Sequence, residues 1–141
     1  MRPLALAVIL LSSGACFRQK YTPMGEADTD VSGTYTTQVS ERSNTCSIRP
    51  VFDQRAQTEV YASPPSASFR LIFGGLPFDG TLRRGGAFST QFVITQASGA
   101  REEMGISGRF TATGFSARAT VDRSTGNGRC TYVLVLQGVR R

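Results

Sequence analysis

From Val31 onward the chain alternates apolar and polar side chains, and clusters of Gly, Pro, Asn and Ser interrupt the alternation roughly every 8 to 12 residues. That period places successive side chains on opposite faces of a strand, and no stretch shows the 3.6-residue period of a helix. Val31 to Val39 reads as a first strand with Val31, Gly33, Tyr35 and Val39 on one face. Cys46 to Ala62 is less regular, and Pro64-Pro65 ends it. Ser68 to Phe73 is a short β-favouring run, broken by Gly74-Gly75 and Pro77. Asp79-Gly80 and Gly85-Gly86 read as turns bracketing a short segment around Leu82.

The second half is clearer. Phe88, Phe92 and Ile94 share one face of Ala87 to Gln96; Met104, Ile106, Gly108, Phe110 and Ala112 share one face of the next run. After a turn at Thr113-Gly114, Phe115, Ala117, Ala119 and Val121 repeat the pattern, which predicts a hairpin. Asn127-Gly128 marks another turn, and Cys130 to Val139 is apolar on both faces through Tyr132–Leu136, as expected of a strand buried on both sides or central in a sheet. The expectation is an all-β domain over residues 31–141, an antiparallel up-and-down barrel or meander of about eight strands, with a two-sheet sandwich as the alternative.

The amino-terminal segment breaks this pattern. Arg2 precedes a nine-residue apolar stretch, Pro3 to Leu11, too short to span a bilayer at roughly 20 residues but the right length for an export signal. It leads into Ser12-Ser13-Gly14-Ala15-Cys16. This junction resembles the lipobox of bacterial lipoproteins: Gly14, Ala15 and Cys16 fit, whereas Ser13 stands where that family usually carries Leu. The resemblance implies a signal peptide over 1–15, a lipid-bearing Cys16 that anchors the chain in a membrane, and localisation in the bacterial cell envelope. Ser13-Gly14-Ala15 is also a site for ordinary signal peptidase, so secretion without a lipid is the second reading. Phe17, rather than Asp, follows Cys16; in a Gram-negative host that resemblance favours the outer membrane, facing the periplasm or the cell surface. Residues 16–30 read as the lipidated cysteine and a tether of mixed charge, without periodic apolar positions.

Three cysteines sharpen the choice. With Cys16 acylated, Cys46 and Cys130 are left to pair as one disulfide, and no thiol is left over in an oxidising compartment. In a barrel, Cys46 just beyond the first strand lies near the start of an antiparallel last strand at Cys130.

Composition limits the chemistry. Without histidine there is no Ser-His-Asp or Cys-His arrangement, and the single lysine, Lys20, lies in the tether. No phosphate-binding loop is present, no closely spaced cysteines suggest a metal site, and no cofactor is implied. Carboxylates are the remaining acid-base groups: Glu41, Asp53, Glu59, Asp79, Glu102, Glu103 and Asp122. Glu102 and Glu103 are adjacent at a strand entrance, so on a strand they face opposite ways; a solvated loop is the plain alternative. The chain is basic, sixteen Lys plus Arg against ten Asp plus Glu, but the arginines are scattered without interleaved aromatics, so nucleic acid is not an expected partner. Weak attraction to anionic lipid or polysaccharide, or simply an arginine-rich soluble surface, accounts for the charge. Phe88, Phe92, Phe110 and Phe115 on one face either form a packed core or line a cavity for a small apolar ligand, with Gly108, Ala117 and Ala119 leaving room or complementing the rings. Two functions from different classes stand: an envelope lipoprotein whose non-catalytic β domain binds a ligand or an envelope protein, or serves structurally; and a carboxylate-dependent envelope enzyme such as a glycoside hydrolase.

Overall fold

A computed structural model describes residues 30–47 and 52–141. The segments expected to be an export signal and a tether, and Cys16 with them, lie outside the described residues as far as Asp30. Eight strands form a closed antiparallel barrel in which each pairs with its neighbours in chain order: β1 Gly33–Asn44, β2 Arg55–Ala62, β3 Ser68–Phe73, β4 Leu76–Leu82, β5 Ala87–Thr95, β6 Arg101–Phe110, β7 Gly114–Thr125 and β8 Gly128–Arg140. The last strand closes on the first from Tyr35 opposite Arg140 to Asn44 opposite Tyr132, with a register shift between Glu41 and Ser43. Every strand is therefore hydrogen-bonded on both sides, no edge is left open, and the core is wholly internal. All eight strands belong to this one closed sheet.

Alternation sets the wall. Inward positions carry Tyr35, Val60, Leu71, Phe78, Ile106 and Leu136, all at most 2% exposed. Outward positions such as Gln38, Gln57, Ser89, Ser107 and Arg118 are polar and exposed. An apolar interior and a polar exterior are the reverse of a lipid-embedded barrel, so the wall is built to face water. Among the described residues no helix is long and apolar enough to cross a membrane.

The end of the barrel where the chain enters, here the upper end, is filled by five rings. Tyr35, Phe69, Phe88, Phe110 and Phe115 meet at centroid separations of 4.6 to 6.3 Å, mostly tilted or edge-on. The Tyr35 hydroxyl donates to the Val31 carbonyl (2.7 Å), pinning the entering segment over the cluster, and Val31 is buried. Burial holds the Tyr35 phenol above its ordinary pKa. Gly138 on β8 makes the cluster fit: a Cβ there would lie 2.1 Å from the Phe115 ring.

Four details differ from the sequence expectation. Residues 76–82 form a complete strand, β4, instead of turns. Gly80 points inward because a Cβ would sit 2.3 Å from the Ser89 carbonyl oxygen and 3.0 Å from Phe69, whereas the real turn is Gly74-Gly75, both at positive φ. Thr37 lies on the core face of β1; its hydroxyl is satisfied by Thr58 across the barrel wall (2.7 Å), while Gly33 is exposed. Ile94 and Ala112 are exposed, since Ile94 lies near the lower rim and Ala112 lies in the β6–β7 turn. β8 is central in the sheet, paired with β7 and β1, but not buried on both sides: Val133 and Val135 face outward, half-buried, because one barrel wall has nothing packed outside it.

Phe110→Ala should lower unfolding free energy by about 3 to 5 kcal/mol, since its ring is only 4% exposed and touches four other rings. Arg109→Ala, on the outer wall, should cost about 1 kcal/mol or less. Urea midpoints at unchanged m-values measure both, and comparable losses would place the wrong face in the core.

Candidate functional site

The two cysteines predicted to pair are bonded, with Cα atoms 4.9 Å apart at a sequence separation of 84. Local backbone bonding holds them there. Thr45 N–H and hydroxyl both donate to the Thr131 carbonyl (2.9 and 3.0 Å), and Thr131 N–H donates to the Thr45 hydroxyl (2.9 Å). The bond thus staples the end of β1 to the start of β8 at the lower end of the barrel.

The lumen is a core at its upper end. Phe88, Phe110 and Phe115 are buried, and Phe92, partly buried, meets Phe78 at a tilt with ring centroids 5.6 Å apart. The small residues on that face complement the rings instead of leaving space. A Cβ on Gly108 would lie 2.6 Å from the Ala117 Cβ, and Ala117 and Ala119 are themselves buried. At the lower mouth, Glu102 faces inward and accepts from Arg123 Nε (3.0 Å) and Nη2 (2.8 Å). This pair sits directly across the β6–β7 ladder. Glu102 is therefore part of a strand and paired, where a solvated loop was the plain alternative. Nearby, burial raises the Tyr132 phenol pKa, the Glu102 charge adds to that rise, and the Arg123 charge opposes it.

Three of the candidate carboxylates come together on the outer wall. Asp79 (β4), Glu103 (β6) and Asp122 (β7) line a groove of about 520 Å³ with Thr81, Gln91, Gly105 and Thr120. The groove has a local cause. Between β5 and β6 the ladder runs from Ser89 opposite Ser107 to Phe92 opposite Met104 and is interrupted between them. There the Thr90 hydroxyl spans the gap, accepting from Ile106 N–H and donating to the Ile106 carbonyl, both at 3.1 Å. Gly105, beside the gap, has no side chain to fill the wall. Glu41, Asp53 and Glu59 are not part of this groove, and Glu59 accepts from Gln57 and Tyr61.

Each groove carboxylate is held by a donor. Asp79 accepts from Arg70 Nε (2.6 Å) and Nη2 (2.9 Å), Glu103 from Gln91 (2.5 Å) and Arg101 (3.3 Å), and Asp122 from Thr131 (2.5 Å). Glu103 and Asp122 are directly opposite each other, a like-charge pair that these donors offset. The Arg70 hydrogen bonds, reinforced by its charge, hold the Asp79 carboxyl below its ordinary pKa. Acid-base hydrolysis needs one carboxyl kept protonated by an apolar or like-charged setting. Asp79 is shifted the opposite way and is not such a carboxyl. Among the described residues no group of three or more His, Cys, Asp or Glu is arranged to hold a metal ion. The gap at Thr90 was not legible, because nothing distinguishes that threonine from others on the strands; Gly105, a glycine on an outward position, was the one available signal.

Compared with protein-family models, curated proteins and solved structures, the chain matches none.

Replacing Cys46 and Cys130 together by Ser should lower stability by about 4.5 kcal/mol in the chain-entropy treatment, read as a fall in urea midpoint. For Asp79, a lowered folded-state pKa means that its contribution is present above the unfolded pKa and lost as pH falls through the folded one. Carboxyl NMR titration should place Asp79 below free aspartate and show it moving up in Arg70→Ala; an unmoved titration would show that Arg70 is not the cause.

Proposed function

We propose that this chain is a bacterial envelope lipoprotein, held in the membrane by acylation of Cys16, whose barrel is a rigid non-catalytic module that binds an envelope partner on its outer wall. The observation that carries the reading is the Cys46–Cys130 bond. It uses two of three cysteines and belongs to an oxidising compartment, which fits export, and it leaves Cys16 as the one cysteine outside the pair, placed after Gly14-Ala15. The packed upper lumen argues against a small apolar ligand there and for recognition on the surface, where the polar groove offers carboxylates, hydroxyls and an amide. A glycoside hydrolase is disfavoured by the donors on all three groove carboxylates. Phe17 after Cys16 favours the outer membrane in a Gram-negative host.

Metabolic labelling with a palmitate analogue tests the anchor. The wild-type chain should take up label and sediment with membranes, and Cys16→Ser should lose both while keeping the Cys46–Cys130 bond by non-reducing peptide mapping. An unlabelled wild-type chain would replace anchoring with plain secretion.

A further inference from the structure

The outer wall carries a second groove beside the one at Thr90. It measures about 730 Å³, is lined by Tyr61, Ser68, Arg70, Ile72 and Asp79, and adjoins the first at Asp79 and Gly80. Register explains why the two run together. Tyr61 on β2 lies opposite Arg70 on β3, Arg70 opposite Asp79 on β4, and Asp79 opposite Gln91 on β5, so one outward side chain from each strand forms a row. Three ladder steps of about 4.8 Å carry this row over about 14 Å of wall.

Each member of the row ends in a planar group, and each is held. The Tyr61 hydroxyl donates to Glu59, two residues back on its own strand (2.7 Å). That bond draws the ring along the sheet surface and leaves it 55% exposed, the one exposed aromatic side chain among the described residues. Arg70 gives Nε and Nη2 to the two oxygens of Asp79, and Gln91 gives Nε2 to Glu103. These bonds fix the groups without using them up. Nη1 of Arg70, the Gln91 carbonyl oxygen and the remaining lone pairs of Asp79 stay open to a ligand.

The chemistry of the row selects among partners. A closed barrel has no strand edge to which a peptide could add, and one ring beside a half-buried Ile72 is too little for the apolar face of a helix. Carboxylates are acceptors only, as phosphates are, so Asp79, Glu103 and Asp122 offer a nucleic acid nothing to bond. A pyranose ring fits both ends of the row. Its face of axial C–H groups packs on an immobilised aromatic ring, and its neighbouring hydroxyls both donate and accept, as guanidinium, carboxylate and amide groups side by side require.

We propose that this face of the barrel binds an uncharged glycan, one pyranose ring stacking on Tyr61 and the next hydrogen-bonding to Arg70, Asp79 and Gln91. The proposal rests on the reading of the barrel as a module that meets an envelope partner on its outer wall, and it names that partner as a polysaccharide. An anionic glycan is disfavoured, because it would lie against the carboxylates of Asp79, Glu103 and Asp122.

Calorimetric titration of the full chain, in a detergent without a sugar headgroup, against chitohexaose and cellohexaose tests the site. At least one of these uncharged β-linked chains should bind saturably. Tyr61→Ala and Arg70→Ala should each weaken that binding about tenfold. Tyr61→Phe, which keeps the ring, and Val139→Ser, at an exposed position on β8 across the barrel, should stay within about threefold of wild type. No saturable binding of either chain, wild-type affinity in Tyr61→Ala, or an equal loss in Val139→Ser would each overturn the site. So would a dimer in sedimentation that Tyr61→Ala dissolves, since the wall would then be a contact between two copies of this chain. Palmitate uptake enters none of these measurements, so the glycan site and the anchor stand or fail separately.

Discussion

Pairing of the first strand with the last is the contact on which everything else rests. Without β1 against β8 the sheet has two open edges and a core exposed along both. Once they pair, the alternation of each strand has only one consistent assignment, and the interior must be filled from eight directions at once. The fill at the upper end is aromatic and self-limiting: Phe115 occupies space that exists because Gly138, on the closing strand itself, has no side chain. Closure and packing are thus one event, since the glycine that admits the ring belongs to the strand that shuts the barrel.

The second-half hairpin was legible because its pattern punishes error. Slipping β6 against β7 by one residue would expose Phe110 and Phe115 and bury Arg109 and Arg118 without partners. β4 was illegible for the complementary reason. Pro77 and Asp79-Gly80 carry strong local turn signals, yet Pro77 is exposed and Gly80 is needed for close approach of Phe69 and β5, a tertiary requirement that no local window contains. β8 was legible in one of its two readings. Apolar residues on both faces fitted a covered strand or a central one, and closure makes it central, with Val133 and Val135 half-buried on the outer face. The disulfide could be anticipated because it followed from strand direction and cysteine number together. The groove could not, since it arises from a break in the ladder and from carboxylates on three strands that are distant in sequence.

Burial and solvent exposure are divided between the two surfaces of the same strands. Inward residues satisfy themselves: Thr37 with Thr58, Tyr35 with the Val31 carbonyl, Glu102 with Arg123. Among the described residues no buried side-chain polar atom lacks a partner, so the interior offers a ligand little unmet hydrogen bonding. Outward residues of β4 to β7 instead present acceptors to solvent in a concave array. Specificity for a partner would come from the positions of these acceptors, which a closed barrel holds more rigidly than a loop could.

The staple between Cys46 and Cys130 also has a mechanical meaning. A pull applied through the chain before Asp30 runs along β1 and loads its hydrogen bonds to β2 and β8 in shear, where many must break together. If they do break, the strand can be drawn out only as far as Cys46, because the load then passes through the covalent bond into β8. Residues 30–46 span roughly 55 Å when fully extended, at about 3.4 Å each. Beyond that length the load passes through the covalent bond into the start of β8, so tension on β1 cannot be relieved by drawing out the chain beyond Cys46.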